Sequence, residues 1–393
     1  MSAPTILLSA GEASSDMYAA RLAEALRRRT GARIFGMGGP HMAEAGVELI
    51  ADCRDISVVG IAEVLHKIPV VYRVQRQLAR EASRRRAALA ILVDSPGTHL
   101  GVARRLKREG IPVGYFIGPQ VWAWRPGRVR VIKRLVNRMV VIFPFEEEIY
   151  RRAGIPVSFV GHPLVDVVHS SMTRAEFVAL HGLDAARPIV AILPGSRPNE
   201  VAQNYPRIIA ACAELARDAG PSGGSQFVQA VARGLDARLF ASHGGKEGVE
   251  VKRVEGVTYD VLAAADCAIV ASGTATIEAA LLGTPMVVIY RVAPLTASIL
   301  RRMVRTPFFA MANLVAGRRI VPELIQDDFV PSAVAAEVRR LLGSPAAVAE
   351  MKAAFGEVRA RLGAGGAIER AADVFAGMLG TAQWATAGAN LVS

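Results

Sequence analysis

The chain reads as an α/β protein made of two doubly wound, parallel-sheet domains in tandem. Three observations predict this. Short apolar runs alternate with helical patterns, the signature of repeated βαβ units. The alternation loosens once, over 165–187, and then restarts. At 393 residues the chain is long enough for two separate cores.

In the first half the runs predict strands at 6–9, 33–36, 90–93, 113–117, 139–143 and 158–160. Between them lie helices such as 18–29 and 98–108, each with an apolar stripe and an Arg-rich outer face. A second series predicts strands at 189–193, 227–230, 250–254, 267–270 and 286–290. The domains expected are 1–170, 187–330 and an Ala-rich helical tail, 331–393, packing back toward the first. Two such domains predict a cleft, with ligands outside the carboxyl ends of the strands.

Hydrophobic residues make up 52% and charged residues 21%, ordinary for a soluble globular protein. The net charge of +12 and pI near 10.2 favour phosphates or anionic lipid as partners. A nucleic-acid partner is not expected, since no helix-turn-helix, zinc finger or aromatic-studded sheet is visible. Cys53, Cys212 and Cys267 are far apart and in no metal spacing, so they read as reduced thiols of a cytosolic protein. No run approaches the ~20 apolar residues of a spanning helix.

The chemistry is sought just after the strands. After 6–9 come Gly11, Glu12 and Asp16, where a Gly turn meets a helix N-terminus. Asp94 leaves the apolar run 90–93 directly into a Pro turn. A partly desolvated carboxylate there suits a general base, with an Asx-turn as the competing reading. His99 nearby could cap the helix expected from Thr98. After 113–117, Trp122, Trp124 and Arg125 form a rim-like pattern of indoles beside Pro and Arg, suited to a sugar face or lipid. After 189–193, Gly195 and Ser196 permit close backbone approach, and Arg197 offers a planar fork for phosphate.

The second run of that kind follows 267–270. Ser272, Gly273 and Thr274 place small hydroxyls and a glycine at a helix N-terminus, an anion-binding arrangement without a Walker lysine. Glu278 lies one turn on, on the same helix face as Thr274, where it can accept from a ribose diol. Asn313, Glu323 and Gln326 suit base or sugar recognition. No D-x-D, H-E-x-x-H or Cys/His cluster is present, so neither metal nor cofactor is expected. Residues 58–86 mix Ile, Val, Leu and Tyr with many arginines, which suits a helix lying on anionic lipid, with core packing as the commoner alternative.

Taken in order, these loops resemble the lipid-A-disaccharide synthases, inverting glycosyltransferases of the GT-B architecture with two Rossmann-like domains. The resemblance spans nearly the whole chain. It rests on Ala10-Gly11-Glu12 with Asp16, Val121 through Arg125, Gly161-His162-Pro163 and Leu193 through Arg197, then on Ala271 through Ala275 with Glu278, Tyr290-Arg291 and Asn313 through Gln326. It implies transfer of 2,3-diacylglucosamine from its UDP conjugate to the 6-hydroxyl of 2,3-diacylglucosamine 1-phosphate (lipid X). Asp94 would be the base. Gly195, Ser196, Arg197, Ser272, Gly273, Thr274 and Ala275 would hold the diphosphate, with Glu278, Tyr290, Arg291, Asn313 and Gln326 on the rest of the donor. Gly11, Glu12, Asp16, Trp122, Trp124 and Arg125 would belong to the acceptor side.

The resemblance further implies a cytoplasmic protein, peripheral on the inner membrane, and leaves room for a homo-oligomer. This chain departs from the family pattern at Ser15, at Gly97-Thr98-His99 after Asp94, and at Ala312. Two other readings stay open: another GT-B enzyme such as a UDP-N-acetylglucosamine 2-epimerase, or a divergent homologue with an altered acceptor or lost catalysis.

Overall fold

The computed structural model describes residues 3–56, 61–122, 127–217, 224–232, 234–236, 238–241, 248–292 and 306–389. The chain divides into two compact units, one formed by 1–166 with 363–393 and the other by 167–362.

The first unit is a seven-stranded sheet of order β3-β2-β1-β4-β5-β6-β7, every pairing parallel. Its strands are β1 (Thr5–Ala10), β2 (Arg33–Gly38), β3 (Glu48–Asp52), β4 (Leu89–Val93), β5 (Val113–Phe116), β6 (Arg138–Val141) and β7 (Val157–Phe159). Its helices are α1 (Ala13–Thr30), α2 (Pro40–Glu44), α3 (Ile61–Arg84), α4 (Pro96–Arg108), α5 (Arg128–Leu135) and α6 (Pro144–Arg152), with a short α7 (Leu164–Val167) at the boundary.

The apolar runs become strands because both sheet faces are covered. Every residue of β4 is fully buried, as expected for a central parallel strand. β3 went unforeseen because it is an edge strand, largely half-buried and without a continuous apolar run. β5 stops one residue short of the expected span, since Ile117 turns to φ 56.

The second unit is a six-stranded parallel sheet of order β10-β9-β8-β11-β12-β13. Its strands are β8 (Ile189–Leu193), β9 (Gln226–Val231), β10 (Val251–Glu255), β11 (Cys267–Ala271), β12 (Met286–Tyr290) and β13 (Glu323–Ile325). Around it lie α8 (Arg174–Leu180), α9 (Pro198–Arg217), α10 (Arg238–Ala241), α11 (Thr258–Ala264), α12 (Ala275–Leu282), α13 (Met311–Ala316), α14 (Pro331–Gly343) and α15 (Pro345–Arg361). The loosened stretch before β8 is itself structured. Thr173 and Glu176 close a capping box on α8, and Asp260 takes hydrogen bonds from the Ser170 hydroxyl, the Ser171 hydroxyl and the Ser171 amide.

The last helix, α16 (Ala367–Ala389), packs in the first unit against α1. Ala367, Ala371, Ala372 and Phe375 are buried, and Arg28 and Arg29 of α1 pair with Glu369 and Asp373. Phe375 lies over Gly114 of β5, where a Cβ would come within 2.5 Å of its ring. Cys53, Cys212 and Cys267 are all buried and free. No helix among the described residues is long and apolar enough to cross a membrane.

Candidate active site

In each sheet the strand order reverses once, and that reversal places the loops that matter. In the first unit it falls between β1 and β4, so the loops carrying Gly11 and Asp94 lie side by side, Ala10 being paired with Val93. In the second it falls between β8 and β11, bringing the Gly195 and Ser272 loops together, Leu193 being paired with Val270. Such switch points are where doubly wound sheets bind ligands.

Gly11 is required by this closeness. A Cβ there would sit 2.2 Å from the Ser95 hydroxyl. Ser15 closes the turn that follows, its hydroxyl accepting from the Glu12 amide at 2.9 Å and donating to the Glu12 carbonyl at 2.8 Å. Asp16 is 1% exposed, and its carboxylate accepts from the amides of Gly39, His41 and Met42 at 2.7, 3.0 and 3.2 Å. Its oxygens are engaged with Gly39 and the first turn of α2, so the acceptor-side residue expected here also holds the β2–α2 connection.

Asp94 follows the buried β4 in a left-handed conformation, φ 54, and Ser95 repeats it at φ 47. The Asp94 carbonyl accepts from the Tyr115 hydroxyl at 2.6 Å and meets His99 Nδ1 at 2.7 Å. His99 Nε2 lies 2.9 Å from the Ser9 hydroxyl. His99 therefore does not cap α4, which begins three residues earlier at Pro96. Burial lowers its pKa to about 4, against the hydrogen bond to Asp94.

Trp122 points its indole N–H at Glu146, 3.3 Å away, and meets Phe145 edge-on at 5.2 Å. Trp124 and Arg125 lie outside the described residues. Glu146 itself was not foreseen. It is 3% exposed, and burial raises its carboxyl to about 7, with the negative charge of Asp94 adding to the rise. The signal was available, since Glu146 enters the first turn of α6 just past the end of β6.

In the second unit, Gly195 takes φ 128 and the Ser196 amide donates to Glu200 at 3.2 Å. Arg197 is held by the same carboxylate at 2.9 Å and is largely exposed. The Ser272 hydroxyl is tied to the Phe309 carbonyl at 2.8 Å and Gly273 takes φ 150. The amides of Gly273, Thr274 and Ala275 have no acceptor among the described residues and stand at the N-terminus of α12.

Glu278, one turn into α12, borders a cavity of about 400 Å³ together with His169, Ser171, Thr258, Tyr259 and Asp260. Burial raises its carboxyl, opposed by the Tyr259 hydroxyl 3.4 Å away. Tyr290 ends β12 within the field of Glu200 and Arg197: burial and then Glu200 raise its hydroxyl, and Arg197 lowers it. Arg291 donates to the Gln326 carbonyl at 2.6 Å, and the Gln326 amide to the Tyr290 carbonyl at 2.9 Å.

Asn313 is fully buried and saturated. Its amide nitrogen donates to Val321 and Glu323, and its oxygen accepts from Ile320 and Val321. Both amide hydrogens and both lone pairs are used, so Asn313 holds the loop before β13. Glu323 is engaged likewise, by the amides of Phe309 and Ala310. No group of three or more His, Cys, Asp or Glu able to hold a metal occurs among the described residues.

The model of the lipid-A-disaccharide synthetase family matches residues 6–359 of this chain. A lipid-A-disaccharide synthase from Geobacter metallireducens is 45% identical over 376 residues, covering 95% of this chain and 97% of that protein. The chain belongs to the lipid-A-disaccharide synthase family. As a member it is a glycosyltransferase with a nucleotide-sugar donor. Solved structures agree on the fold. The calicheamicin glycosyltransferase CalG4 superposes with TM-score 0.60 at 17% identity, covering 97% of this chain and 99% of its own. The UDP-GlcNAc 2-epimerase of Neisseria meningitidis, bound to UDP-GlcNAc, gives 0.61 at 13% identity, covering 91% and 97%. At such identities the likeness is one of GT-B architecture alone, and the synthase family match disfavours the epimerase reading.

Proposed function

We propose that the chain moves 2,3-diacylglucosamine from its UDP conjugate to the 6-hydroxyl of 2,3-diacylglucosamine 1-phosphate, giving the β-1,6-linked disaccharide 1-phosphate and UDP. The observation that carries the reading is the pair of switch-point loops, one ending in the carboxylate of Asp94 and the other in the open amides of Gly273, Thr274 and Ala275.

The step is a single displacement. Asp94 takes the proton of the acceptor 6-hydroxyl as that oxygen attacks the anomeric carbon. The bond from that carbon to the diphosphate oxygen breaks on the opposite face, with inversion. The charge released onto the diphosphate is met by the three amides, by the dipole of α12 and by Arg197, whose fork exchanges Glu200 for phosphate. Gly195 and Ser196 let the backbone approach. Glu278 accepts from the ribose, and Tyr290, Arg291 and Gln326 line the donor side. Gly11, Glu12 and the loop bearing Trp122, Trp124 and Arg125 serve the acceptor, with Asp16 supporting them indirectly through the β2–α2 loop.

The acyl chains place the protein on the anionic cytoplasmic face of the inner membrane. α3 supports this, with Ile68 and Tyr72 exposed and Arg73, Arg76, Arg80 and Arg84 beside them. The test is a mass-spectrometric transfer assay with UDP-2,3-diacylglucosamine and lipid X. Formation of the disaccharide 1-phosphate by the wild type, and none by Asp94→Asn with UDP binding intact, is the expected result. Turnover by Asp94→Asn at the wild-type rate overturns the base assignment.

A further inference from the structure

Asp94 and Ser95 are consecutive L residues in the left-handed region, at φ 54 and φ 47. That backbone is unfavourable without external restraint, and strain of this kind gathers where a site must be held in one geometry. The restraint comes from three separate elements. Tyr115 of β5 donates its hydroxyl to the Asp94 carbonyl at 2.6 Å, and His99 of α4 brings Nδ1 to the same oxygen at 2.7 Å.

A carbonyl only accepts, so Nδ1 carries the hydrogen and Nε2 is left to accept from Ser9 of β1 at 2.9 Å. The tautomer is thereby set. Burial keeps the ring neutral, so donor and acceptor ends persist at any working pH. Both lone pairs of one carbonyl are filled by side chains that are themselves fully buried, as is Ser9. Apolar residues of similar size would fill this core as well and would need no partners. The polar trio has one shared target, the peptide carrying Asp94.

We infer that His99 and Tyr115 are positioning residues for the reaction: by saturating the Asp94 carbonyl they lock its peptide in the left-handed turn and so aim its carboxylate, with Ser9 fixing the His99 ring. This rests on the assignment of Asp94 as the base. Neither side chain touches substrate on this account. Their effect passes through the Asp94 backbone alone, and a loosened turn lowers the fraction of bound complexes in which the carboxylate reaches the 6-hydroxyl.

The experiment compares Asp94→Asn, Tyr115→Phe, His99→Leu and His99→Asn in the transfer assay, with donor and acceptor varied separately. Asparagine is the diagnostic replacement, because its amide nitrogen stands as many bonds from Cα as Nδ1 and can donate to the same carbonyl. Tyr115→Phe removes one hydroxyl and guards against a folding defect in His99→Leu, with near-UV circular dichroism and melting as the check.

The expected result is a kcat about 10- to 100-fold lower in Tyr115→Phe and His99→Leu, with KM for the donor within about twofold and UDP affinity unchanged. His99→Asn recovers most of the loss. Wild-type kcat in folded His99→Leu and Tyr115→Phe, a loss carried by KM, or His99→Asn no better than His99→Leu overturns the inference. Asp94→Asn separates the two layers. If it turns over normally, the base assignment falls and this inference with it; if it is inactive while the other variants are normal, only the positioning role falls.

Discussion

The indole Nε1 of Trp122 donates to the buried carboxyl of Glu146 at 3.3 Å, and that carboxyl titrates near neutrality, at about 7. Unfolded, the group titrates at the ordinary glutamate value of 4.5. A raised acid favours the folded state while protonated, so its contribution is full below 4.5 and is lost as pH rises through 7. The shift corresponds to roughly 3 kcal/mol. Denaturant unfolding at pH 5 and pH 8 is expected to show that loss as a difference between wild type and Glu146→Gln, the groups that titrate in both proteins cancelling. Because Asp94 adds to the rise, Asp94→Asn is expected to bring the midpoint down. Equal pH dependence in wild type and Glu146→Gln counts against the assignment.

Two histidines act in the opposite sense. Burial depresses His99 to about 4 and His162 to about 3, from 6.5. The unfolded chain takes up protons first, so their contribution is full above 6.5 and is lost as pH falls toward 4 for His99 and toward 3 for His162. For His99 this is on the order of 3 kcal/mol. His162→Asn keeps an acceptor for the Leu164 amide while removing the titration. Its unfolding midpoint is expected to fall less steeply than that of the wild type between pH 6.5 and 4.5. A parallel fall would show that His162 takes up its proton alike in the folded and unfolded chain, against the depression by burial.

The strand-end rule located the switch-point loops because it rests on βαβ alternation, which is written plainly in the apolar runs. It says where a polar side chain emerges but not what claims it. Asp16 and Asn313 emerge at such places, and neighbouring backbone amides donate to both. Those amides come from a helix of five residues and a loop without periodicity, features no pattern of side chains announces. Glu146 was hidden differently. It is the first of three glutamates opening α6, and only its contacts with Trp122 and Phe143 distinguish it from its half-buried neighbours. β3 and β13 escaped because edge strands need no unbroken apolar run.

In the proposed donor site, Arg197 meets the diphosphate from a position where Glu200 already holds its Nη1 at 2.9 Å. Arg197→Ala is expected to weaken UDP about 10- to 100-fold, the size of one or two charge-assisted hydrogen bonds. Gly273→Ala should weaken it too, through the backbone, since a Cβ at φ 150 meets nothing within 4 Å and only the conformation suffers. Calorimetric titration with UDP reads both. Transfer is expected to persist in EDTA, because amides and Arg197 supply the stabilisation of the leaving group. Unchanged UDP affinity in both variants would remove the cradle from the mechanism.

The surface of α3 carries the last prediction. Ile68 and Tyr72 are 54% and 51% exposed, and Arg76, Arg80 and Arg84 continue the same four-residue spacing along the helix. The guanidinium groups of Arg76 and Arg105 lie 5.9 and 4.5 Å from the Tyr72 ring, holding it against the basic edge. Arg76, Arg80, Arg84, Arg105 and Arg108 border a hollow of about 360 Å³ with one carboxylate, Glu109, among them. Arg84 pairs with Glu81 at 2.6 Å, and an apolar edge continuous with this net positive surface fits the headgroup layer of an anionic bilayer. Binding to phosphatidylglycerol vesicles is expected to exceed binding to phosphatidylcholine and to fall with salt. Each arginine near the surface contributes about 1 kcal/mol, so Arg76→Ser with Arg80→Ser should weaken partitioning about 30-fold. Ile68→Ser with Tyr72→Ser should weaken it at high salt as well, where only the apolar contact remains. Vesicle binding indifferent to both pairs would place the membrane contact elsewhere on the molecule.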